Sequence, residues 1–211
     1  MSREKPILFS TEMVKAILAD RKTKTRRLNG LKEINENPDQ WSFSGFSYNT
    51  KKGHLEADFY DPDMNIKRVK CPWKIGDILW VRETWNQALN TETDELGYVY
   101  KEQMLRENVI YTDLDDDPIK WRSSRYMPKI AARLFLEVKD IQVERLQNIT
   151  EEDAIAEGVA QMEWRDYFGN VRPTTPKESF SQLWNSINAK RGYAWELNNW
   201  VWVVEFERVE A

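Results

Sequence analysis

The alternation of apolar and polar positions predicts many short strands and a few helices. Predicted strands cover residues 6–10, 41–48, 55–60, 75–85, 98–100, 109–111, 134–138, 141–144 and 200–209. Helical spacing of apolar residues predicts helices over residues 11–19, 150–158 and 179–190, the last with Phe180, Leu183, Trp184 and Ile187 on one face. The order is strand, helix, a run of strands, two helices and a closing strand.

Helix ends are marked by capping residues. Ser10 or Thr11 can accept a hydrogen bond from the first turn of the first helix. Thr150 can cap the second, and the acidic residues 151–153 complement the positive end of its dipole. Gly158 ends that helix, because glycine adopts the left-handed conformation without steric cost.

Short strands with helices predict a mainly β protein with flanking helices, in the α+β class. The physical expectation is a small, mostly antiparallel β-barrel with helices at its openings. Residues 1–211 are expected to form a single domain, since 211 residues can bury one good core. Long insertions are expected at about residues 28–72, 86–119 and 159–176.

Composition narrows the function classes. Charged residues make up 31% of the chain and mean hydropathy is −0.72, which indicates a polar globular protein without a membrane partner. A single cysteine, Cys71, and a single histidine, His54, argue against disulfides, a zinc site and a Ser-His-Asp triad. We expect a cytoplasmic protein with no metal and no cofactor. The first residues lack the apolar core of a signal peptide.

Charge is unevenly distributed around a net value of −4. Basic residues concentrate in segments 20–32, 66–75 and 120–133, whereas residues 91–117 are strongly acidic. Basic segments that converge would form a positive groove on an acidic body; segments that do not converge would be ordinary solvated faces.

The most distinctive segment is Asp20–Arg27, which holds five cations, two threonines and one acid. A strand and helix that lead into such a turn suggest a site for an anionic or polar ligand. The alternative is a solvated basic strand edge.

This segment, with Gly76-Asp77-Ile78-Leu79 and the Thr150-led helix, resembles the ASCH domain family. The chain as a whole, including Arg82–Trp85, is similar to phage and prophage proteins with that domain. The resemblance implies a PUA-like β-barrel and RNA binding or RNA-linked chemistry. The family pattern is Gly-x-Lys-x-x-x-x-Arg, so Lys22 and Arg27 match its charged positions. Asp20 replaces the glycine, and aspartate tolerates the positive φ expected there better than most residues.

Some small bacterial members of the family are amidohydrolases of N4-acetylcytidine. The resemblance carries their catalytic set onto Lys22 as base, Thr25 as nucleophile and Glu157 as proton shuttle or holder of the lysine. Neighbouring arginines would lower the pKa of Lys22. Side chains three apart on a straight strand point to opposite faces, so Lys22 and Thr25 can meet only if Lys22 precedes the strand.

Other candidate residues would hold a nucleic acid or nucleoside. Arg21, Lys24 and Arg27 are cations of the same segment, and the run 120–126 interleaves aromatics and cations through Trp121, Arg122 and Arg125. The favoured hypothesis is binding of RNA or a modified nucleoside, with DNA possible. The alternatives are amide hydrolysis of an N4-acylated cytosine and, more weakly, a phage protein that binds a host factor.

Overall fold

The computed structural model describes residues 3–90, 95–107, 119–159, 163–165 and 171–210. These residues group into two compact units. The first unit comprises Met1–Asp20, Asp77–Glu137 and Glu207–Ala211. The second comprises Arg21–Gly76 and Val138–Phe206.

Strands and helices alternate irregularly along the chain. The strands are β1 (Glu4–Leu8), β2 (Lys24–Arg27), β3 (Ser42–Asn49), β4 (His54–Tyr60), β5 (Ile66–Lys70), β6 (Ile78–Arg82), β7 (Trp85–Asn90), β8 (Glu95–Tyr100), β9 (Phe135–Arg145), β10 (Glu163–Arg165), β11 (Val171–Pro173) and β12 (Trp200–Val209). The α-helices are α1 (Thr11–Leu18), α2 (Lys32–Glu36), α3 (Lys101–Glu107), α4 (Glu151–Ala156) and α5 (Pro176–Asn188).

The first unit is built on a parallel strand pair and a hairpin. β1 runs parallel to β6, and β6 pairs antiparallel with the beginning of β9. β7 and β8 form the hairpin, in which Trp85 lies opposite Tyr100. A small apolar cluster of Trp85, Tyr100, Met127 and Ala131 packs beside it.

The second unit holds the larger apolar core. β2 pairs antiparallel with β12, and β3, β4 and β5 form a separate antiparallel sheet. Trp200 packs edge-on against Phe59, and the fully buried Trp202 stacks with Phe46. α4 and α5 contribute to a second cluster of Leu146, Ile149, Ala154, Phe180, Trp184, Val201 and Val203. Alternate residues of β12 therefore serve apolar clusters on opposite sides of the strand.

Several local predictions are confirmed. β12 matches the predicted closing strand, and β3 and β4 form the predicted hairpin. Ser10 caps α1 by accepting a hydrogen bond from the Met13 amide. Thr150 caps α4 through the Asp153 amide, and Gly158 follows that helix with φ of +80°.

Other predictions are wrong in detail. The strand predicted over residues 75–85 is two strands, since β6 pairs with β1 and β9 whereas β7 pairs with β8. The strand segments predicted at 134–138 and 141–144, with a bend at Lys139 and Asp140 between them, form the continuous strand β9, as expected. α5 begins at Pro176 because Thr175 and Glu178 form a reciprocal capping box, and Ile187 on it is 42% exposed rather than buried.

The predicted insertions contain more structure than expected. Residues 28–72 include α2, whose Ile34 is completely buried, and β5. Residues 86–119 include most of the β7–β8 hairpin and α3, and the strand predicted at 109–111 lies outside the described residues. β10 and β11 form a short antiparallel pair within the third insertion.

The protein is a mixed α+β protein, as the pattern predicts. The described strands form several sheets and no closed barrel. In the described part of the chain, none of the helices is both long and apolar enough to cross a membrane.

Candidate functional site

The backbone brings the basic segment against the end of α4. β2 begins at Lys24, so Lys22 and Thr23 precede it. The Thr23 amide donates to the Ala156 carbonyl at 2.8 Å, and the Thr23 carbonyl accepts from the Phe206 amide at 2.8 Å. Lys22 and Glu157 form an isolated antiparallel bridge. The site is thus fixed by main-chain pairing on two sides.

Lys22 and Glu157 form a buried ion pair. The Lys22 Nζ lies 2.7 Å from Glu157 Oε2, and the two side chains are 0% and 4% exposed. The same ammonium donates to the Glu157 main-chain carbonyl and to the Lys24 carbonyl, each at 2.8 Å. These three acceptors match the three N–H groups of a lysine side chain. The structure therefore unites two of the three predicted catalytic residues, which are 135 positions apart.

Burial sets the acidity of the lysine. Removal from water disfavours the charged form and lowers the pKa of Lys22 from its usual value. The Glu157 carboxylate opposes this decrease, while Arg27 and Arg26 reinforce it by charge repulsion. A buried lysine with a lowered pKa and a named carboxylate partner is typical of functional sites.

The sequence did not single out Arg26 as a residue of the site. Its side chain is 0% exposed and contacts three carboxylates. Nη2 lies 2.7 Å from Glu144 and 2.9 Å from Asp153, and Nη1 lies 3.3 Å from Glu157. Arg26 therefore orients Glu157 from the side opposite its lysine-bound oxygen. Only its place in a cationic run could have signalled this, because its partners lie 118 to 131 residues away.

Lys24 is also paired within the protein. Its Nζ lies 2.8 Å from Asp153 and 3.6 Å from Glu205. The hydrogen bond that Lys24 donates to Asp153 raises the pKa of Lys24, so this side chain stays charged at neutral pH. Three of the cations in the predicted ligand-binding segment are thus neutralised by acids of the same unit. These three cations form a charge-balanced network with Glu157, Asp153 and Glu144, whereas Arg21 is exposed.

Thr25 and Arg27 occupy the strand beside this network. Thr25 is 2% exposed and lies opposite Val204 of β12. Thr25 is joined by its peptide bond to Lys24, and the carbonyl oxygen of Lys24 accepts a hydrogen bond from Lys22 Nζ. Direct contact between Lys22 and Thr25 stays a prediction, although β2 begins late enough to allow it.

Arg27 lies opposite Trp202. Burial lowers the pKa of Arg27 to about 10, Glu157 opposes that decrease, and the positive charge of Arg191 adds to it. Asp20 has φ of +53°, the left-handed conformation expected for it from the sequence. Arg21 is exposed and donates to the Gly158 carbonyl at 3.4 Å.

The other predicted ligand residues belong to the first unit. Trp121 is half-buried and packs on the cluster of Ala88, Val99 and Ile119. The guanidinium of the exposed Arg122 lies 5.4 Å from the centre of the Trp85 ring. The carbonyl oxygen of the exposed Arg125 accepts a hydrogen bond from Arg82 Nη2. Within the described ranges, no cluster of three or more His, Cys, Asp or Glu residues could hold a metal ion.

Comparisons with known proteins add little. No family model matches the chain, and no curated protein matches it. Among solved structures, the chain is similar to a protein from Enterococcus faecalis V583 whose description carries the family name DUF984. The TM-score is 0.40 at 10% identity, over 100% of this chain and 77% of that chain. A likeness this weak carries no argument about function.

Proposed function

We propose that the second unit binds a modified nucleoside, free or within RNA, at the Lys22–Glu157 pair. The observation that carries this proposal is that pair, a fully buried ammonium held 2.7 Å from a carboxylate. Burying two charges is costly, and replacing such a pair by apolar residues is often neutral or stabilising, so stability alone is a weak reason for its presence. The proposal includes the resemblance to the ASCH family and the PUA-like fold that this resemblance implies.

The ligand we infer is a base or nucleoside recognised through polar groups, not a polyanion held by charge. Lys22, Lys24 and Arg26 are already paired with carboxylates of the protein. A nucleic-acid backbone would have to displace these internal acids before it could gain from those cations. Arg21 is exposed, so it is the cation of the segment best suited to contact a phosphate or a carbonyl oxygen, in RNA or in DNA.

A second candidate function is hydrolysis of an N4-acylated cytosine. The lowered pKa of Lys22 favours it, because a neutral amine can accept a proton. The Thr25 hydroxyl would attack the acyl carbon as its proton passes to Lys22. Glu157 would relay that proton to N4 as the C–N bond breaks, leaving cytidine and an acyl-threonine ester. Water would then hydrolyse the ester, giving the carboxylic acid and restoring the Thr25 hydroxyl.

The test is incubation with N4-acetylcytidine, with cytidine measured by chromatography and binding measured by calorimetry. Binding is expected for the wild type and is expected to be lost in Lys22→Met, which keeps an unbranched side chain of similar length but removes its charge. Cytidine formation that is lost in Thr25→Ala and partly retained in Thr25→Ser would establish hydrolysis.

The control is Lys15→Met, which removes a lysine charge from the exposed part of α1. It should leave binding and turnover unchanged. If the wild type neither binds nor converts N4-acetylcytidine, cytidine or an RNA oligomer carrying either base, the proposal is wrong. Binding that is equal in Lys22→Met and wild type would place the ligand elsewhere.

A further inference from the structure

The outer face of the sheet in the first unit is largely apolar. Alternate residues of β1, β6 and β9 point into the core, and those that are at most 5% exposed are Ile7, Leu79, Val81 and Leu136. The residues between them lie on the opposite face, where Pro6, Trp80 and Phe135 form one row across the three strands. Pro6 is exposed, and Trp80 and Phe135 are half-buried. Solvent therefore reaches two neighbouring aromatic residues of this sheet.

The next row of the same face carries positive charge. Leu8, which is 40% exposed, lies opposite Arg82 of β6. The Arg82 guanidinium lies 5.4 Å from the centre of the Trp80 ring. It donates hydrogen bonds to the main-chain carbonyls of Arg125 and, at 3.2 Å, of Met127. Both acceptors are uncharged, so neither neutralises Arg82, and the exposed Arg125 adds a second cation.

The same contacts hold a loop, residues 124–130, beside this face. Tyr126 lies between the two residues whose carbonyls Arg82 binds. Further along the loop, Lys129 forms an ion pair with Glu4 of β1. Although the loop is fixed at both points, the Tyr126 residue is 73% exposed. A large aromatic side chain is thus held in water next to the row that contains Arg82.

These apolar residues form one surface. Exposed apolar residues scattered singly are ordinary, whereas contiguous ones mark interaction sites. The strand register and the Arg82 contacts here connect five of them: Pro6, Leu8, Trp80, Phe135 and Tyr126. Aromatic rings beside guanidiniums suit single-stranded nucleic acid, whose bases stack on the rings while its phosphates pair with the cations. A purely apolar partner would instead bury the charges of Arg82 and Arg125 without compensation.

We propose that this surface binds single-stranded RNA. One base stacks on the Trp80–Phe135 pair and another stacks on Tyr126. Arg82 and Arg125 bind the adjoining phosphates, since a guanidinium can pair with two phosphate oxygens. The choice of RNA over DNA rests on the proposed function, which places a nucleoside within RNA.

The acids of this face restrict the path of the RNA backbone. Glu4 and Glu137 both lie opposite Ile78, on the side of Trp80 away from Arg82. Carboxylates repel phosphates, so the phosphates lie at the Arg82 end of the face. The whole surface belongs to the first unit, whereas the proposed nucleoside site belongs to the second.

The experiment follows the fluorescence anisotropy of a labelled oligouridine of about 12 nucleotides as the full chain is added. Tyr126→Ala should weaken binding about tenfold, the loss of one stacked base. Arg125→Ala keeps the carbonyl that Arg82 binds, and it should weaken binding and reduce its dependence on salt. The matched controls, Tyr48→Ala and Lys51→Ala, change an exposed tyrosine and an exposed lysine of the second unit and should leave binding unchanged.

Further oligomers test the mode of binding. A duplex of oligouridine with oligoadenosine should bind more weakly, because its bases stack on one another instead of on side chains. The deoxyuridine oligomer should bind no more tightly than the RNA. An oligouridine that carries photoreactive 4-thiouridine should crosslink to a peptide containing Trp80 or Tyr126, identified by mass spectrometry. This last measurement uses the wild type and does not depend on how any variant folds.

The outcomes separate this surface from the nucleoside site. Oligouridine contains no cytosine, so Lys22→Met should retain its binding and its crosslink whichever way the N4-acetylcytidine experiment turns out. The inference is overturned if the wild type binds no oligouridine up to its solubility limit, binds the duplex or the DNA more tightly, or crosslinks only within the second unit. A dimer without RNA binding, detected by sedimentation and dissociated by Tyr126→Ala, would also overturn it and assign the face to a second copy of the chain.

Discussion

Replacing Glu157 by Gln tests whether the buried ion pair is held as the structure indicates. The substitution preserves the size of the side chain and removes its charge. The Lys22 ammonium, whose side chain is 0% exposed, would keep its two carbonyl acceptors but lose its carboxylate. Arg26 would lose a contact of 3.3 Å yet retain Glu144 and Asp153. The penalty should therefore fall mainly on Lys22.

The expected loss of stability depends on which charge each variant leaves buried without its partner. Removing one partner of a buried pair costs about 3–5 kcal/mol, because the other charge stays buried without compensation. Lys22→Met should cost less, since Glu157 keeps Arg26 as a partner. The loss of stability in the double variant, Lys22→Met with Glu157→Gln, should be about 2–3 kcal/mol smaller than the sum of the two single losses, because the two side chains interact.

The assay is urea unfolding at neutral pH, followed by circular dichroism and fitted for the free energy of unfolding. Glu152→Gln is the matched control, because it removes the same charge from an exposed position of α4. A loss in Glu157→Gln no larger than that of Glu152→Gln would refute the reasoning. Additive losses in the double variant would show that Lys22 and Glu157 do not interact in solution.

Further predictions concern pH and backbone conformation. Because the pKa of Lys22 is lowered in the folded protein, the unfolded chain binds more protons than the folded chain between that lowered value and pH 10.5. The free energy of unfolding should therefore rise with pH over this range. Lys22→Met should remove this rise when unfolding is measured as a function of pH. Burial acts to raise the pKa of Asp153, but Lys24 and Arg26 outweigh it, so the pKa is lowered from 3.8. The stability that Asp153 contributes is therefore fully present above pH 3.8 and is lost as the pH falls through the lowered value. Acid unfolding of Asp153→Asn should lack this contribution. Thr150→Ala should lower the free energy of unfolding by about 1 kcal/mol by removing a helix cap, with Thr150→Ser as control. Asp20→Gly should raise the melting temperature, since φ of +53° costs aspartate about 0.5–1 kcal/mol more than glycine, whereas Asp20→Ala should lower it.

Local signals accounted for much of the secondary structure. Capping residues and apolar spacing are properties of a few adjacent residues, so Thr150, Gly158 and the β12 strand could be placed from sequence alone. The division of residues 75–85 into β6 and β7 could not, because the two strands differ only in their distant pairing partners.

The candidate site shows the same division between local and tertiary information. The sequence by itself determined that a cationic, threonine-containing segment follows α1, and the resemblance indicated Lys22 and Glu157 as its centre. Only the tertiary structure decided that Arg26 joins three carboxylates and that Lys24 binds Asp153. Charge along a chain gives the number of cations, whereas burial and long-range pairing decide which of them face acids of the same protein. The sequence predicts either a site for an anionic or polar ligand or a solvated basic edge, and the structure pairs three cations of this segment with acids of the same unit.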